Sequence, residues 1–153
     1  MPPASAGLLL YRRRDGGVEV LIGHMGGPFW ARKDAGAWSI PKGLAEPGEE
    51  PERVAEREFA EEMGSPPPPG PGLALGEFVQ SGGKRVTVFA REGDLEAAAA
   101  RSNTFTMEWP RGSGRTAEFP EIDRAAWVTP ERARELLVRG QVPAVDALLE
   151  ALG

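Results

Sequence analysis

The sequence predicts an α/β chain in which a mixed β-sheet is sandwiched between helices. Three observations predict it. Two short apolar runs, Ala6–Arg12 and Val18–His24, flank Asp15-Gly16, a dipeptide suited to a hairpin reversal. A stretch without internal breakers, Glu50 to Met63, has the composition of a three-turn helix. Further strand-like segments then stand before, between and after helical ones, the order that places a sheet between helical layers.

Taken in order, Ala6–Arg12 is almost continuously apolar, as a strand buried on both faces must be. Met25–Ala37 is a loop by composition, punctuated by Gly26, Gly27, Pro28 and Gly36. Trp38–Gly43 reads as a short extended segment leading into the helix. Pro51 suits the first helical position, where its missing N–H costs nothing, and Gly64 suits the left-handed position just past the end. Ser65–Gly72 (SPPPPGPG) is a polyproline-like connector. Leu73–Gln80 and Arg85–Arg91 read as a second hairpin around Ser81-Gly82-Gly83-Lys84. Asp94–Arg101 reads as a short helix with a capping Asp, and Ser102–Pro120 as irregular chain. Ala125–Val128 is a short strand. Thr129 and Pro130 open a helix running to about Arg139 and ended by Gly140, and Val142–Leu152 forms another.

On a wheel of about 100° per residue, Glu58, Glu61 and Glu62 share one face of the central helix, and Ala55, Phe59 and Met63 make the adjoining apolar stripe. Three carboxylates at this spacing repel one another. A solvated acidic face is the ordinary explanation, but this face borders the apolar stripe and so lies near the sheet. A hard divalent cation would relieve the repulsion through carboxylate oxygens and substrate phosphates.

Gly43, five residues, Glu49, seven residues, then Arg57-Glu58-Phe59-Ala60-Glu61-Glu62-Met63-Gly64 resembles the Nudix box, G-x5-E-x7-R-E-U-x-E-E-x-G-U, where U is a bulky apolar residue. Only the final U departs, being Ser65. The box occupies residues 43–65. The resemblance implies a Nudix-type α/β/α sandwich and a pyrophosphohydrolase that splits a diphosphate linkage in a nucleoside diphosphate joined to a group X. It also implies that Glu58, Glu61 and Glu62, with the Lys42 carbonyl, bind Mg²⁺ or Mn²⁺. Arg57 then pairs with Glu49 as structural support, and Gly43 allows close backbone approach. Trp38 followed by Pro41-Lys42-Gly43 resembles the branches acting on dinucleoside polyphosphates or diphosphoinositol polyphosphates. Many members take a further carboxylate from a late loop as base or metal ligand. Glu121 is preferred here for its spacing to Trp127, with Glu118 and Glu108 as rivals; among the helix carboxylates Glu61, and after it Glu58, is the other candidate base.

At 153 residues the expectation is a single domain, residues 1–153. The absence of cysteine excludes disulfides, a thiolate nucleophile and Cys-type zinc sites, and the lone His24 excludes a His-rich metal site. With no export leader and no long apolar run, a cytoplasmic protein with no membrane association is expected. A net charge of −5 argues against broad nucleic-acid binding, leaving a capped RNA end as the one nucleic-acid substrate in play. The sequence does not specify an oligomeric state.

Two stretches carry the means to read what lies beyond the diphosphate. Met25–Trp38 offers Trp30 and Trp38 for stacking and Arg32 and Lys33 for phosphates; Ser102–Pro120 offers Phe105, Trp109, Arg111 and Arg115. Lys42 adds a cation beside the box. The opposing reading makes the tryptophans core plugs and the arginines solvated. Charge spread over two stretches favours a dinucleoside polyphosphate or an (oxidised) nucleoside triphosphate over a nucleotide sugar. The alternative function is a Nudix-fold module that senses a nucleotide without hydrolysing it, which the intact set of box carboxylates disfavours.

Overall fold

The computed structural model describes residues 4–153. It opens with the expected hairpin, β1 (Ser5–Arg14) and β2 (Gly17–Met25). The two strands pair only near their turn, Tyr11–Arg14 against Gly17–Val20, and part beyond it. The chain returns from the loop 26–37 to fill the gap. β3 (Trp38–Ser39) pairs with Gly23 and His24 of β2, and β4 (Lys42–Leu44) pairs with Ser5–Gly7 of β1. Trp38–Leu44 is thus a wedge between two splayed strands, and it delivers Lys42 and Gly43 to the middle of the sheet.

β6 (Arg85–Glu92) runs parallel to β1, β5 (Leu73–Val79) antiparallel to β6, and β9 (Ile122–Val128) antiparallel to β2. The result is a mixed seven-stranded sheet. One face carries α1 (Pro51–Met63), whose Val54, Ala55, Phe59 and Met63 pack on Leu8, Leu10 and Leu21. The other carries α2 (Pro130–Leu136) and α3 (Val142–Leu152), whose Leu136, Val145 and Leu148 pack on Leu9, Ile22 and Val88. Alternate leucines of β1 therefore feed opposite cores, which explains its unbroken apolar run. Complete burial of a side chain such as Phe59 contributes about 2–3 kcal/mol.

The structure departs from the sequence reading in three places. Ser102–Pro120 is not irregular: β7 (Thr104–Glu108) and β8 (Thr116–Pro120) form an antiparallel ribbon off the main sheet. Glu108 sits at its tip, accepting from the Gly112 and Gly114 amides. Asp94–Arg101 is not a helix but a single 3-10 turn, Ala97–Ala99. Its length is too short to offset helix nucleation, and the Asp94 carboxylate is drawn to Arg12 while the Leu95 carbonyl accepts the Trp127 indole N–H. α2 stops short of Arg139 because the Val138 amide donates to the Trp38 carbonyl, pulling the chain onto the wedge. A 3-10 turn, Arg139–Gln141, then leads into α3. Among the described residues no helix is long and apolar enough to cross a membrane.

Candidate functional site

α1 begins as its sequence requires, with Pro51 in the first turn, and ends on Gly64 at positive φ. Just before it, Glu49 is folded back onto the helix by Arg57. The guanidinium holds both Glu49 oxygens, Nε to Oε2 at 2.8 Å and Nη2 to Oε1 at 2.9 Å, and also donates to the Leu44 carbonyl at 2.9 Å. The Glu46 amide donates to the same carboxylate at 2.9 Å. These bonds, Arg57 foremost, bring the Glu49 carboxyl down to about 2. The remaining Arg57 nitrogen, Nη1, reaches Glu58 at 2.7 Å and Glu61 at 3.2 Å.

Beyond Arg57 the compensation thins out. Glu62 is only 9% exposed, with Glu58 one turn before it. Burial, and next the Glu58 charge, push its carboxyl up to about 8, with Glu121 adding to the rise. The Lys42 ammonium and backbone oppose that rise without cancelling it. Glu58 is raised too, by burial first and by Glu61 second, against the pull of Arg57. Gly43 passes so close that a Cβ there would collide with the Glu58 carboxylate, so only glycine lets β4 lie against this face.

Lys42, Gly43, Glu58, Glu61, Glu62, Asn103 and Glu121 line one open cleft of about 390 Å³. Glu121 reaches it because its backbone is fixed on both sides: its amide donates to the Asn103 carbonyl and its carbonyl accepts from the Gly26 amide, each at 2.9 Å. The Asn103 amide in turn donates to the Glu61 carbonyl at 2.8 Å, tying the late loop to the end of α1. Glu118 is exposed on β8 and Glu108 is engaged at the ribbon tip, so neither lines this cleft. Asn103, the sole asparagine of the chain, was not singled out by the sequence; its role there is set by contacts with Glu61 and Glu121 that no local pattern encodes.

The donor set is hard oxygen, and its charge is only partly balanced by Lys42 and Arg57, which is the chemistry that suits Mg²⁺ or Mn²⁺. Among the described residues no three carboxylates or imidazoles converge on a single point, and Arg57 engages both Glu58 and Glu61. The residues fit a cation in kind and line one cleft, although their carboxylates do not meet at one point.

The residues expected to read the substrate are dispersed. Trp30 is half-buried and, with Lys42, borders a second cleft of about 490 Å³. Trp38 is 5% exposed within the core, its indole donating to Asp34 and its edge meeting His24. It lines neither cleft, so the structure makes it a core residue. Arg32 and Lys33 are exposed on the loop outside both clefts, with the Lys33 ammonium 5.4 Å from the Trp30 ring. On the ribbon, Phe105 packs on Phe119, Trp109 and Arg115 are exposed, and the Arg111 guanidinium stands 5.8 Å from the Phe29 ring, so ribbon tip and loop meet.

A carboxylate-rich cleft at the junction of a splayed mixed sheet and the helix after it defines the class: a Nudix fold carrying every charged residue of its box. The family profile of the NUDIX domain matches residues 1–148, and the chain belongs to the NUDIX domain family. It is similar in structure to the NUDIX domain of Shewanella oneidensis NrtR complexed with ADP ribose, at 14% identity over 100% of this chain and 90% of that one, TM-score 0.68. A C. elegans Ap4A hydrolase binary complex is similar at 18% identity over 97% of each chain, TM-score 0.65. A MutT protein from Methanosarcina mazei is similar at 20% identity over 98% and 94%, TM-score 0.63. At such identities the likeness is one of fold. No curated protein matches the chain.

Proposed function

We propose that the chain acts as a single Nudix hydrolase domain that splits a diphosphate linkage in a nucleoside diphosphate–X substrate with the help of a divalent cation. X is a further phosphate or nucleotide, making the substrate a dinucleoside polyphosphate or an (oxidised) nucleoside triphosphate. The observation that carries this reading is the convergence of Lys42, Glu58, Glu61, Glu62 and Glu121 on one cleft. Family membership and a fold shared with an Ap4A hydrolase and a MutT protein support it.

Glu58, Glu61 and Glu62, with the Lys42 carbonyl, would hold Mg²⁺ or Mn²⁺, which when bound polarises phosphate oxygens and acidifies water. The Lys42 ammonium gives the substrate phosphates a point charge. Arg57 and Glu49 keep the loop before α1 against the helix. Glu121, exposed and with no cation on its carboxylate among the described residues, takes the proton from the attacking water. Glu61 is the rival base, but it is engaged by Arg57. Charge on the departing phosphate is met by Lys42.

The test is a panel of dinucleoside polyphosphates, nucleoside triphosphates and their oxidised forms, nucleotide sugars, diphosphoinositols and capped RNA. Purified protein with Mg²⁺ is expected to release phosphate or pyrophosphate from a polyphosphate substrate and to stop when the cation is chelated. Tight nucleotide binding with no turnover on any member of the panel would instead mark a sensing module.

A further inference from the structure

The second cleft contains a polar relay that neither the box nor the proposed hydrolysis uses. It is bordered by Met25, Trp30, Lys42, Gln80, Val138 and Arg139, and it shares Lys42 with the carboxylate cleft. A nucleotide whose diphosphate lies at Lys42 therefore has its base, or a second nucleoside, within reach of this cleft. Its volume, about 490 Å³, is in the range of small-ligand pockets.

At its floor lies Gln141, 1% exposed. The Ile40 amide donates to Gln141 Oε1 at 2.7 Å. A backbone N–H can only donate, so this bond fixes which end of the carboxamide is oxygen. Gln141 Nε2 then donates twice, to Ser39 Oγ at 3.0 Å and to Gln80 Oε1 at 2.9 Å. Ser39 is free to accept because its own proton goes to the Ile40 carbonyl at 2.8 Å. Gln80, the other of the chain's two glutamines, is thereby oriented as well: its oxygen faces Gln141. Its Nε2 has no partner among the described residues. The contact is held from outside by Gly140, where a Cβ would come within 2.7 Å of both Gln80 Cα and the Val79 carbonyl oxygen. A larger residue would lift the 3-10 turn off β5 and separate the two amides.

Gln80, oriented by Gln141, thus brings a carboxamide N–H that is not used among the described residues to the border of a cleft that half-buried Trp30 also lines. We propose that Gln80 selects the base by donating from its carboxamide to the carbonyl at the purine 6-position, so that the 6-oxopurines guanine and hypoxanthine are preferred to the 6-aminopurine adenine. This rests on the reading of the substrate as a nucleotide anchored at Lys42. An amino group at that point would meet a donor with no acceptor turned toward it, and a desolvated donor without a partner is penalised.

The test is titration calorimetry with GDP and ADP in chelated buffer, where no turnover occurs, on the wild type, Gln80→Glu and Gln80→Met. Wild type is expected to bind GDP about tenfold more tightly than ADP. Gln80→Glu keeps its contact with Gln141 but shows the cleft an acceptor, so the ratio should reverse; Gln80→Met should bring it near unity. Thermal melts of both variants check that the fold is kept. A wild-type preference for ADP, an absence of binding by either nucleotide, or a ratio indifferent to both substitutions overturns the proposal. Hydrolysis with an indifferent ratio sinks the base reading and leaves the enzyme reading intact. The predicted ratios without hydrolysis of any substrate do the reverse.

Discussion

The two ends of the stretch Gly43–Gly64 use the same residue, glutamate, to opposite effect. At the Glu49 end the carboxylate is met by three side-chain and backbone donors, and its proton affinity falls to about 2. At the Glu62 end, burial outruns the charge supplied by Lys42, and proton affinity climbs to about 8. A satisfied charge holds a loop in place; an unsatisfied one waits for a counter-ion. The contrast separates architecture from chemistry along one short stretch of chain without reference to any substrate.

The comparison is broken most forcefully at Glu62. Glu62→Gln keeps the shape and removes the charge, so Mg²⁺-dependent turnover should fall by roughly 10³ while the fold remains. Steady-state kinetics beside a thermal melt decide it, and near-wild-type turnover would end the assignment. The same side chain gives a pH signature in chelated buffer. Its folded value, about 8, lies above the ordinary 4.5, so the stability it contributes is complete below 4.5 and is lost as pH rises through about 8. Melting temperature should therefore drop on the order of 5 °C between about pH 5 and pH 8, recover on adding Mg²⁺, and lose this slope in Glu62→Gln. Glu49 has the opposite sign: its contribution is present above 4.5 and fades as pH falls through about 2.

Smaller effects sharpen the contrast. Glu49→Gln loosens the Arg57 clamp and should cost about tenfold in turnover, as supporting partners of a metal site do. Equal losses for Glu49→Gln and Glu62→Gln, with metal affinity unchanged in both, would contradict the division of roles. The smallest change is expected from Arg32→Ala with Lys33→Ala. These exposed cations should raise KM for a polyphosphate a few-fold and leave kcat alone, in keeping with surface charges near a binding site. Unchanged kinetics on the best substrate would remove them from recognition.

What the sequence made legible is what local pattern encodes. The apolar stripe Ala55, Phe59, Met63 and the Pro51 and Gly64 boundaries placed α1, the unbroken apolar runs of β1 and β2 made that hairpin readable, and alternating burial did the same for β6. The ribbon β7–β8 was not, because neither TFTME nor TAEFP carries a buried face and their pairing spans a Gly-rich tip. Trp38 looked available for stacking only while its neighbours were unknown; His24 and Asp34 enclose it in the fold. Glu121 could be ranked above Glu118 by spacing, yet its arrival beside Glu62 depends on the backbone of Asn103 and Gly26. Gln80 and Gln141 stand sixty-one positions apart, beyond the reach of any periodicity.

The wedge between β1 and β2 has a metrical consequence. Lys42 borders both clefts, and the backbone around it is bonded on each side: β3 to β2, the Ile40 amide to Gln141, the Pro41 carbonyl to the Leu8 amide, β4 to β1. This bonded backbone joins the carboxylate cleft to the second cleft. The fold therefore acts as a gauge of fixed span, in which a ligand's reach counts alongside its groups: a molecule one linkage too short leaves one cleft empty, however well it suits the other.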